Sequence, residues 1–594
     1  MKPKYFIFLC LSVFILSTQY SLSTIRYVSK TGTSTPPYTS WQTAADSIQK
    51  CINICVAGDT IYVANGIYKE NLVINTQIFL SGLSTDSTII DGTGLAVITV
   101  EYLSGEGGEI KNFKIIGKGF NQGAAILTRR SILIKNCRIT SDQTGLSVIN
   151  TSVITENLII DQVSKGIFAG CLNGDCYTVI KNSLILLNAP SSTALSINVG
   201  GTYYIDNNIL LYNNDFETAG NGISCGWPKK VYIRNNLISG FLDNIFFDII
   251  EDSAFIENNL ITYKPDLNNT YGINTQNDNV IIKNNIFSNN KNSAIRGFLP
   301  YVDLNYNLFW QNENDLYGIN YGDSDQVADP MFVKDTIPSS DGNYDFHLQA
   351  FSPGIDKGDP DILDKDGTRS DIGMYGGPFG KTYTYQDLAP LAPRNLSAVV
   401  DSNNITVRWR RNTEADTAYY KVYRDTVISF QIDSTKLVSA SADTFFIQLP
   451  PYYSSKYVYK VTCVDNQGNE SQPSQELIVN ITSVSIEDYP MTISDYVLYQ
   501  NYPNPFNPST KIGYQLKERA YVKLMVYDIK GELVSVLVNK EQNAGYYEVD
   551  FSVGSLQSTV SNSIASGIYL YRIEVIGEGS IPVYTEMKKM LLLK

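Results

Sequence analysis

The segments IRNNLI at residues 233–238, IENNLI at 256–261 and IKNNIF at 282–287 decide the fold of this chain, because they repeat one short pattern. The pattern is an aliphatic residue, any residue, a polar pair that is often Asn-Asn, any residue and a second aliphatic residue. Six further copies begin at Ile110, Ile134, Ile154, Ile180, Ile205 and Leu304. The copies are 20 to 28 residues apart, which is too irregular for a helical solenoid and natural for coils with variable loops.

A parallel β-helix explains this pattern physically. Strands of successive coils stack at roughly 4.8 Å, so the aliphatic positions form continuous interior columns. Asn at the bend tolerates left-handed backbone angles, and its amide can hydrogen-bond to the amide of the next coil to form a ladder. A loop protein that was merely rich in Asn would not place aliphatic residues on both sides of each polar pair. The sequence therefore predicts an all-β chain whose largest part is a parallel β-helix.

Length and composition support several β domains and exclude some functions. A chain of 594 residues is too long for one hydrophobic core, and its 41 Tyr favour strands over helices. The net charge of −13 argues against nucleic acid as a partner of the whole chain. His347 is the single histidine, which excludes a mechanism or metal site that needs two imidazoles.

The N-terminus predicts export. Two lysines in Met-Lys-Pro-Lys precede an apolar run from Phe6 to Leu16 and then small and polar residues, which is the pattern of a secretory signal peptide over residues 1–23. The apolar run is too short to span a bilayer, and no longer run follows it, so we expect no transmembrane helix in the mature protein.

Removal of the signal peptide takes away Cys10 and leaves seven cysteines in a chain bound for an oxidising compartment. At most three internal bridges can then form. The plausible pairs are Cys51 with Cys55 and Cys171 with Cys176. Cys225 and Cys463 fall on inward strand positions, where we expect buried free thiols.

Segments on both sides of the repeat resemble known proteins. Residues 41–52 have helical spacing and precede AGDTIYVANGIYKENLVI at 57–74 and STIIDGTG at 87–94, and DFHLQAFSPGIDKG begins at Asp345. Together they resemble pectin-lyase-like right-handed parallel β-helix proteins over residues 24–381. The resemblance implies that the helix caps the first coil, and it identifies a fold and not a reaction.

Two further segments predict β-sandwich domains. Residues 388–482 contain ITVRW ending at Trp409, AYYKVYRD at 418–425 and YVYKVTCVD at 457–465, and they resemble a fibronectin type III domain. We expect this domain to be a spacer, with carbohydrate binding as the alternative. The predicted fold class is therefore an all-β chain in which a right-handed parallel β-helix is followed by two β-sandwich domains.

The last segment carries LYQNYPNPFNPSTKI at 498–512 and MKKMLLLK at 587–594. Residues 495–594 resemble the type A sorting domain of the type IX secretion system, with GSLQSTVSNSI at 554–564 as an inserted loop. The resemblance implies a secreted or cell-surface protein that the type IX machinery recognises at the outer membrane. The domain is usually cleaved in that family, which leaves the passenger either released or attached to surface lipopolysaccharide.

A second strand in each coil supplies the candidate site. Its inward residues are predicted at Ile126, Leu146, Ile167, Leu195, Ile223, Ile245, Ile273 and Ile295, and the first and third residues after each point outward. In the last coils the outward residues include Phe246, Asp248, Asn274, Gln276, Arg296 and Phe298. In pectin-lyase-like enzymes this sheet lines the substrate groove, so these residues are the predicted substrate-binding strip. The alternative is an exposed β surface with ordinary polar residues.

The chemistry of the strip leaves two functions open. Hydrolysis needs two facing acids, but Asp248 has no second acid on the predicted face, and Asp243, Glu251 and Asp252 are expected in flanking loops. Calcium-assisted β-elimination needs a base near an acidified proton, and Arg296 could lie near that proton. No catalytic residue is assigned. The chain is either a binder of extracellular polysaccharide or a lyase or hydrolase that acts on a uronate-containing polymer.

A second candidate site involves calcium. Asp364, Asp366 and Asp371 include the spacing D-K-D-G, which resembles a calcium-binding loop. The usual glutamate does not follow. Asp and Gly at this spacing also form ordinary turns, so the site is predicted only as an alternative to a turn.

Overall fold

The computed structural model describes residues 23–594 except 102–106, 120–122, 173–174, 213–218, 263–269, 277–278, 298–301, 340, 401–403, 450–455, 482–494, 554–564, 578–581 and 594. The apolar run of the predicted signal peptide, Phe298 and the insertion at 554–564 therefore lie outside the described residues. The chain forms two compact units, Met1–Gln386 and Asp387–Lys594. Among the described residues, no helix has both the length and the hydropathy to span a membrane.

Three parallel sheets build the first unit, with 12 strands described in sheet A, 12 in sheet B and 11 in sheet C. Sheet A contains Ile25–Val28, Thr60–Val63, Phe79–Gly82, Glu109–Lys111, Ile132–Lys135, Val153–Glu156, Tyr177–Lys181, Thr202–Asp206, Lys230–Arg234, Ser253–Glu257, Val280–Lys283 and Asp303–Asn305. Sheet B contains Gly66–Tyr68, Thr88–Thr93, Lys114–Lys118, Arg138–Ser141, Ile159–Asp161, Leu184–Leu187, Ile209–Tyr212, Leu237–Ser239, Leu260–Thr262, Ile286–Ser288, Leu308–Trp310 and Gln326–Val327. Sheet C contains Leu72–Ile74, Ala96–Val100, Ala124–Thr128, Thr144–Ile149, Lys165–Gly170, Thr193–Ile197, Ile223–Cys225, Asp243–Phe247, Tyr271–Thr275, Ser293–Gly297 and Leu316–Tyr317.

This topology confirms the parallel β-helix. From Glu109–Lys111 to Asp303–Asn305, each coil passes from sheet A through a bend that contains Asn to sheet B and then to sheet C, as in Lys230–Arg234, Leu237–Ser239 and Asp243–Phe247. The predicted inward residues of sheet C pair with one another from coil to coil, and each is at most 1% exposed. An interior column of Ile and Leu removes apolar surface from water in every coil, which is the main stabilising term of such a stack.

Where a bend contains two Asn residues, the two have different roles. The first residue of the pair is left-handed, with φ of 56° at Asn235 and 53° at Asn258. The second residue forms the predicted ladder, because the Nδ2 atoms of Asn236 and Asn259 each donate to the Oδ1 of the ladder residue in the next coil at 2.9 Å. The same bond joins Asn208 to Asn236 and Asn285 to Asn307, both at 3.0 Å. These ladder residues are fully buried, so the ladder satisfies polar groups that have no access to water.

The N-terminal cap is shorter than predicted. The helix covers Ile48–Ile52 only, with Ser47 as its N-cap, and Ile48, Cys51 and Ile52 are buried in the core of the β-helix. The expected bridge between Cys51 and Cys55 is absent from the structure. The Sγ atom of Cys55 donates to the carbonyl oxygen of Cys51, one helical turn back, while the Cys51 side chain is buried in the core. Cys171 is bonded to Cys176 as predicted, and Cys225 and Cys463 are buried free thiols.

The C-terminal segment of the first unit packs along the outer face of sheet B. Its antiparallel strands are Phe332–Lys334 and Asp345–Leu348. Phe332, Phe346, Leu348 and Ile372 form one apolar cluster with outward residues of sheet B. The same segment also binds the first Asn of the bends, since the Nδ2 atom of Asn235 donates to the carbonyl oxygens of Met374 and Gly376.

The second unit contains two antiparallel sandwiches. The first has the sheets Arg394–Val400, Ile405–Arg410 and Phe445–Gln448, and Leu437–Ser441, Thr417–Asp425, Lys456–Asp465 and Leu477–Asn480. The second has Val497–Leu498, Ser509–Leu516 and Gly545–Ser552, and Leu533–Gln542, Ala520–Asp528, Gly567–Ile576 and Pro582–Leu592. Each sandwich has its own apolar core, and Trp409 and Tyr459 lie in the core of the first. The predicted fold class of an all-β chain is confirmed.

Candidate functional site

The outward face of sheet C carries the predicted strip. The register places Phe246, Asn274, Arg296 and Tyr317 directly beside one another in four successive strands. Because neighbouring strands are roughly 4.8 Å apart, this column is about 15 Å long. Asp248 and Gln276 follow the ends of their strands and are exposed, whereas Phe298 lies outside the described residues.

The sequence had predicted Asp243 in a flanking loop, but it does not lie there. It is the first residue of the strand Asp243–Phe247 and is only 8% exposed. Its carboxylate accepts hydrogen bonds from the Nδ2 atom of Asn274, with distances of 3.3 and 3.4 Å to the two oxygens. Burial raises the pKa of Asp243 to about 6, and the Asn274 hydrogen bond and the Arg296 charge limit that rise.

Two tyrosines hold the guanidinium of Arg296, and the sequence reasoning missed both. Its central carbon lies 5.1 Å from the ring centre of Tyr271 and 5.9 Å from that of Tyr317. The Nη1 atom is 3.4 Å from the Tyr271 hydroxyl, which also accepts a 2.8 Å hydrogen bond from Asn292. A cation against aromatic faces is stabilised without losing its hydrogen-bonding edge. Arg296 is therefore positioned to bind an anion.

Asn274 lies on the strand between those of Asp243 and Arg296. It is 9% exposed, and its Oδ1 atom accepts no hydrogen bond from any residue that the structure describes. A buried carbonyl oxygen without a donor is unfavourable, and a ligand hydroxyl is one group that could satisfy it. One face of the sheet thus carries a titratable acid, an amide and a fixed cation, which are Asp243, Asn274 and Arg296.

The positions of the acids bear on the possible reactions. Asp243 begins a strand and Asp248 follows the same strand, five residues later, so their backbones are about 16 Å apart. Paired carboxylates that hydrolyse a glycosidic bond are about 5 to 9.5 Å apart. This pair therefore does not favour hydrolysis, whereas one acid of raised pKa beside a cation is compatible with binding or with proton abstraction.

The Asp364, Asp366 and Asp371 carboxylates already accept hydrogen bonds within the segment that covers sheet B. Asp364 accepts from the backbone amides of Asp371 and Gly377, and burial raises its pKa to about 6. Asp366 accepts from the amide and hydroxyl of Thr368, as in an ordinary turn. The calcium site predicted here remains a prediction.

Comparison with known proteins gave likenesses of architecture. No protein-family model and no curated protein matches the chain. Among solved structures, the chain is similar to the pectate lyase Pel9A, with 14% identity, a TM-score of 0.38 and coverage of 62% of this chain and 98% of that chain. An Fn3-like protein from Clostridium thermocellum matches at 27% identity and a TM-score of 0.14, over 16% of this chain and 98% of that one. Dimeric latent PorU from Porphyromonas gingivalis matches at 14% identity and a TM-score of 0.16, over 34% of this chain and 20% of that one.

Proposed function

We propose that this chain binds an acidic extracellular polysaccharide across the outward face of sheet C. The observation that carries the proposal is Arg296, which is held against the rings of Tyr271 and Tyr317 beside the buried Asp243 and Asn274. A guanidinium can bind a uronate carboxylate through two parallel hydrogen bonds. Aromatic rings suit the apolar faces of sugars, and Tyr317 is 59% exposed at the end of the column.

Replacement of Arg296 by Ala should weaken binding of a uronate polymer by about ten- to a hundredfold, because it removes a charge-assisted bidentate contact. Binding of neutral polymers should change far less. Calorimetric titration of the full chain with both kinds of polymer measures the difference. Equal losses for acidic and neutral polymers, or no loss, would contradict the assignment of the cation.

Arg129→Ala is the matched control for that experiment. Arg129 also follows a strand of sheet C, but it lies several coils away and pairs with Glu101. Its replacement removes the same charge from the same sheet without touching the site. We expect wild-type affinity for both polymers.

Asp243 should make the binding dependent on pH. Its pKa is about 6, so lowering the pH from about 7.5 to about 5 protonates it and removes a negative charge beside Arg296. Uronate carboxylates stay ionised in this range. We therefore expect affinity for a uronate polymer to rise about three- to tenfold as the pH falls. Titrations across this range measure it.

Asp243→Asn removes the titrating group and keeps an acceptor for Asn274. The variant should bind at neutral pH as tightly as the wild type does at low pH, with little dependence on pH. Asp248→Asn removes an exposed acid from the same face and should leave the pH dependence in place. A pH dependence that survives in Asp243→Asn would show that another group titrates.

The second candidate function is a polysaccharide lyase, which the pKa of Asp243 favours. In β-elimination a cation neutralises the uronate carboxylate and a base removes the adjacent proton, so that a C=C bond forms while the C–O bond to the neighbouring sugar breaks and the leaving oxygen takes a proton from solvent. Arg296 would supply the first function and Asp243 the second. Incubation with a panel of uronate polymers, with and without Ca²⁺, should then raise the ultraviolet absorbance, and Asp243→Asn should abolish the rise. An unchanged absorbance with every polymer would contradict the lyase function and leave binding as the proposed function.

We also propose that the type IX secretion system exports the chain. The segment 498–512 and the C-terminal strand Pro582–Leu592 belong to one sandwich, in which the Phe506 amide donates to the Leu591 carbonyl oxygen and the Leu593 amide to that of Phe506. The two motifs of the resemblance thus form one surface that an export machinery could recognise. The mature chain would be either released or attached to lipopolysaccharide.

A further inference from the structure

Three carboxylates converge in the sandwich that resembles fibronectin type III. Asp387 precedes the first strand, Asp416 lies immediately before the strand Thr417–Asp425, and Asp465 ends the strand Lys456–Asp465. One oxygen of each carboxylate lies within 4.8 Å of an oxygen of the other two. Among the described residues, no other group of three His, Cys, Asp or Glu side chains has such a spacing. This group was not predicted from the sequence.

Asp416 is the unusual member of the group. It is 5% exposed, and no other residue of the described chain donates a hydrogen bond to its carboxylate. Burial and the charges of Asp465, Glu414 and Asp387 raise its pKa. Apart from its own backbone amide, no group of the described chain offsets this buried carboxylate, which is aimed at two others, so a cation would complete the arrangement.

The other two carboxylates are held in place by one amide. The Nδ2 atom of Asn469 donates to Asp387 at 3.1 Å and to Asp465 at 2.9 Å. Asp465 also accepts from the backbone amides of Gln467 and Asn469, so its position is fixed by the turn that follows the strand. In the described part of the chain, no lysine, arginine or histidine forms an ion pair with any of these three acids.

We propose that Asp387, Asp416 and Asp465 bind a calcium ion. Three carboxylates supply hard oxygen ligands, which calcium prefers, and backbone carbonyls or water can complete its six to eight contacts. Zinc is disfavoured because its sites in proteins are dominated by His and Cys. The ion would join the segment before the sandwich to two of its strands and would stabilise the folded domain.

The buried thiol of Cys463 reports on this site. It lies on the same strand as Asp465, is fully buried, and its Sγ atom is 3.9 Å from the Thr417 hydroxyl. A thiol reagent therefore reaches Cys463 only when this domain opens. The full chain is labelled in mild denaturant at constant ionic strength with increasing CaCl₂, and Cys463→Ser gives the background from the thiols of the β-helix. We expect labelling about tenfold slower when the calcium concentration is ten times its dissociation constant.

Four variants make the assignment specific. Asp387→Asn changes an exposed residue that the fold does not require, and it should raise the calcium concentration for half-protection by at least about tenfold. Asp443→Asn, an exposed residue of the same sandwich outside the group, and Asp364→Asn in the first unit should leave the calcium response unchanged. Asp416→Asn should abolish the response and slow labelling without calcium, because it removes a buried charge that no cation of the described chain neutralises. Calcium-independent labelling of the wild type, or an unchanged response in Asp387→Asn, would overturn the proposal.

Discussion

Deletion of residues 495–594 should trap folded passenger in the periplasm of the native host. The deleted sandwich has its own apolar core, so the β-helix keeps all of its stacking contacts and folds without it. The deletion removes both the 498–512 segment and the C-terminal lysines on which the sorting resemblance rests. Immunoblots of periplasmic, surface and medium fractions should show a nearly complete shift of the passenger to the periplasm.

Deletion of residues 554–564 is the control for that experiment. This stretch departs from the pattern of the sorting domain, so export should continue without it. Equal surface or medium amounts of passenger with and without residues 495–594 would contradict the export proposal. Treatment that releases lipopolysaccharide-linked proteins then separates an attached product from a free one.

Replacement of Asn236, Asn259 and Asn285 together by Asp should destabilise the β-helix severely. Each Nδ2 atom donates to the next ladder residue and to backbone carbonyl oxygens, as Asn236 does to Ile205 and Arg234 at 2.8 and 2.9 Å. The change removes these donors and places three buried acids one above another at roughly 4.8 Å. We expect a loss on the order of 5 kcal/mol or more in the free energy of unfolding.

Thermal and denaturant unfolding of the β-helix measure this loss. The matched control replaces the exposed residues Asn53, Asn75 and Asn314 by Asp, which makes the same change in net charge and should alter the melting temperature little. The loss should shrink at low pH, where buried acids are protonated. Equal melting temperatures for the ladder and control variants would show that the ladder does not stabilise the stack.

The register of sheet C could be predicted because its inward residues recur in every coil. Ile245, Ile273 and Ile295 are each aligned by the Asn-Asn bend that precedes them, and alternation then assigns Phe246, Asn274 and Arg296 to the outer face. The ladder was predictable for the same reason. An interior that must be filled in each coil leaves a repeated pattern that can be read from the sequence.

Asp243 could not be placed in the same way, because it lies at a corner. Asn244 occupies the corner with its side chain buried and its Nδ2 atom bonded to the Thr262 carbonyl oxygen. Counting backwards by alternation from Ile245 therefore fails at this residue. Asp243, Tyr271 and Ser293 pair with one another in three successive strands, and each stands two positions before an inward residue. This recurrence was the signal in the sequence that could have placed Asp243 on a strand.

The tyrosines around Arg296 were missed for a different reason. Tyr271 stands at such a corner. Tyr317 belongs to the short last strand of sheet C, Leu316–Tyr317, which lies beyond the last predicted inward residue, Ile295. Their contacts with Arg296 depend on side-chain direction across three coils, and a linear pattern does not specify that direction.

The most direct test of the proposed function is a calorimetric titration of the full chain with one uronate polymer and its carboxyl-reduced derivative. The two polymers share a backbone and differ only in the group that Arg296 should bind. We predict measurable binding of the uronate polymer and binding of the reduced polymer weaker by at least about tenfold. Equal affinity for the two polymers, or no binding of any uronate polymer tested, would contradict the proposed function.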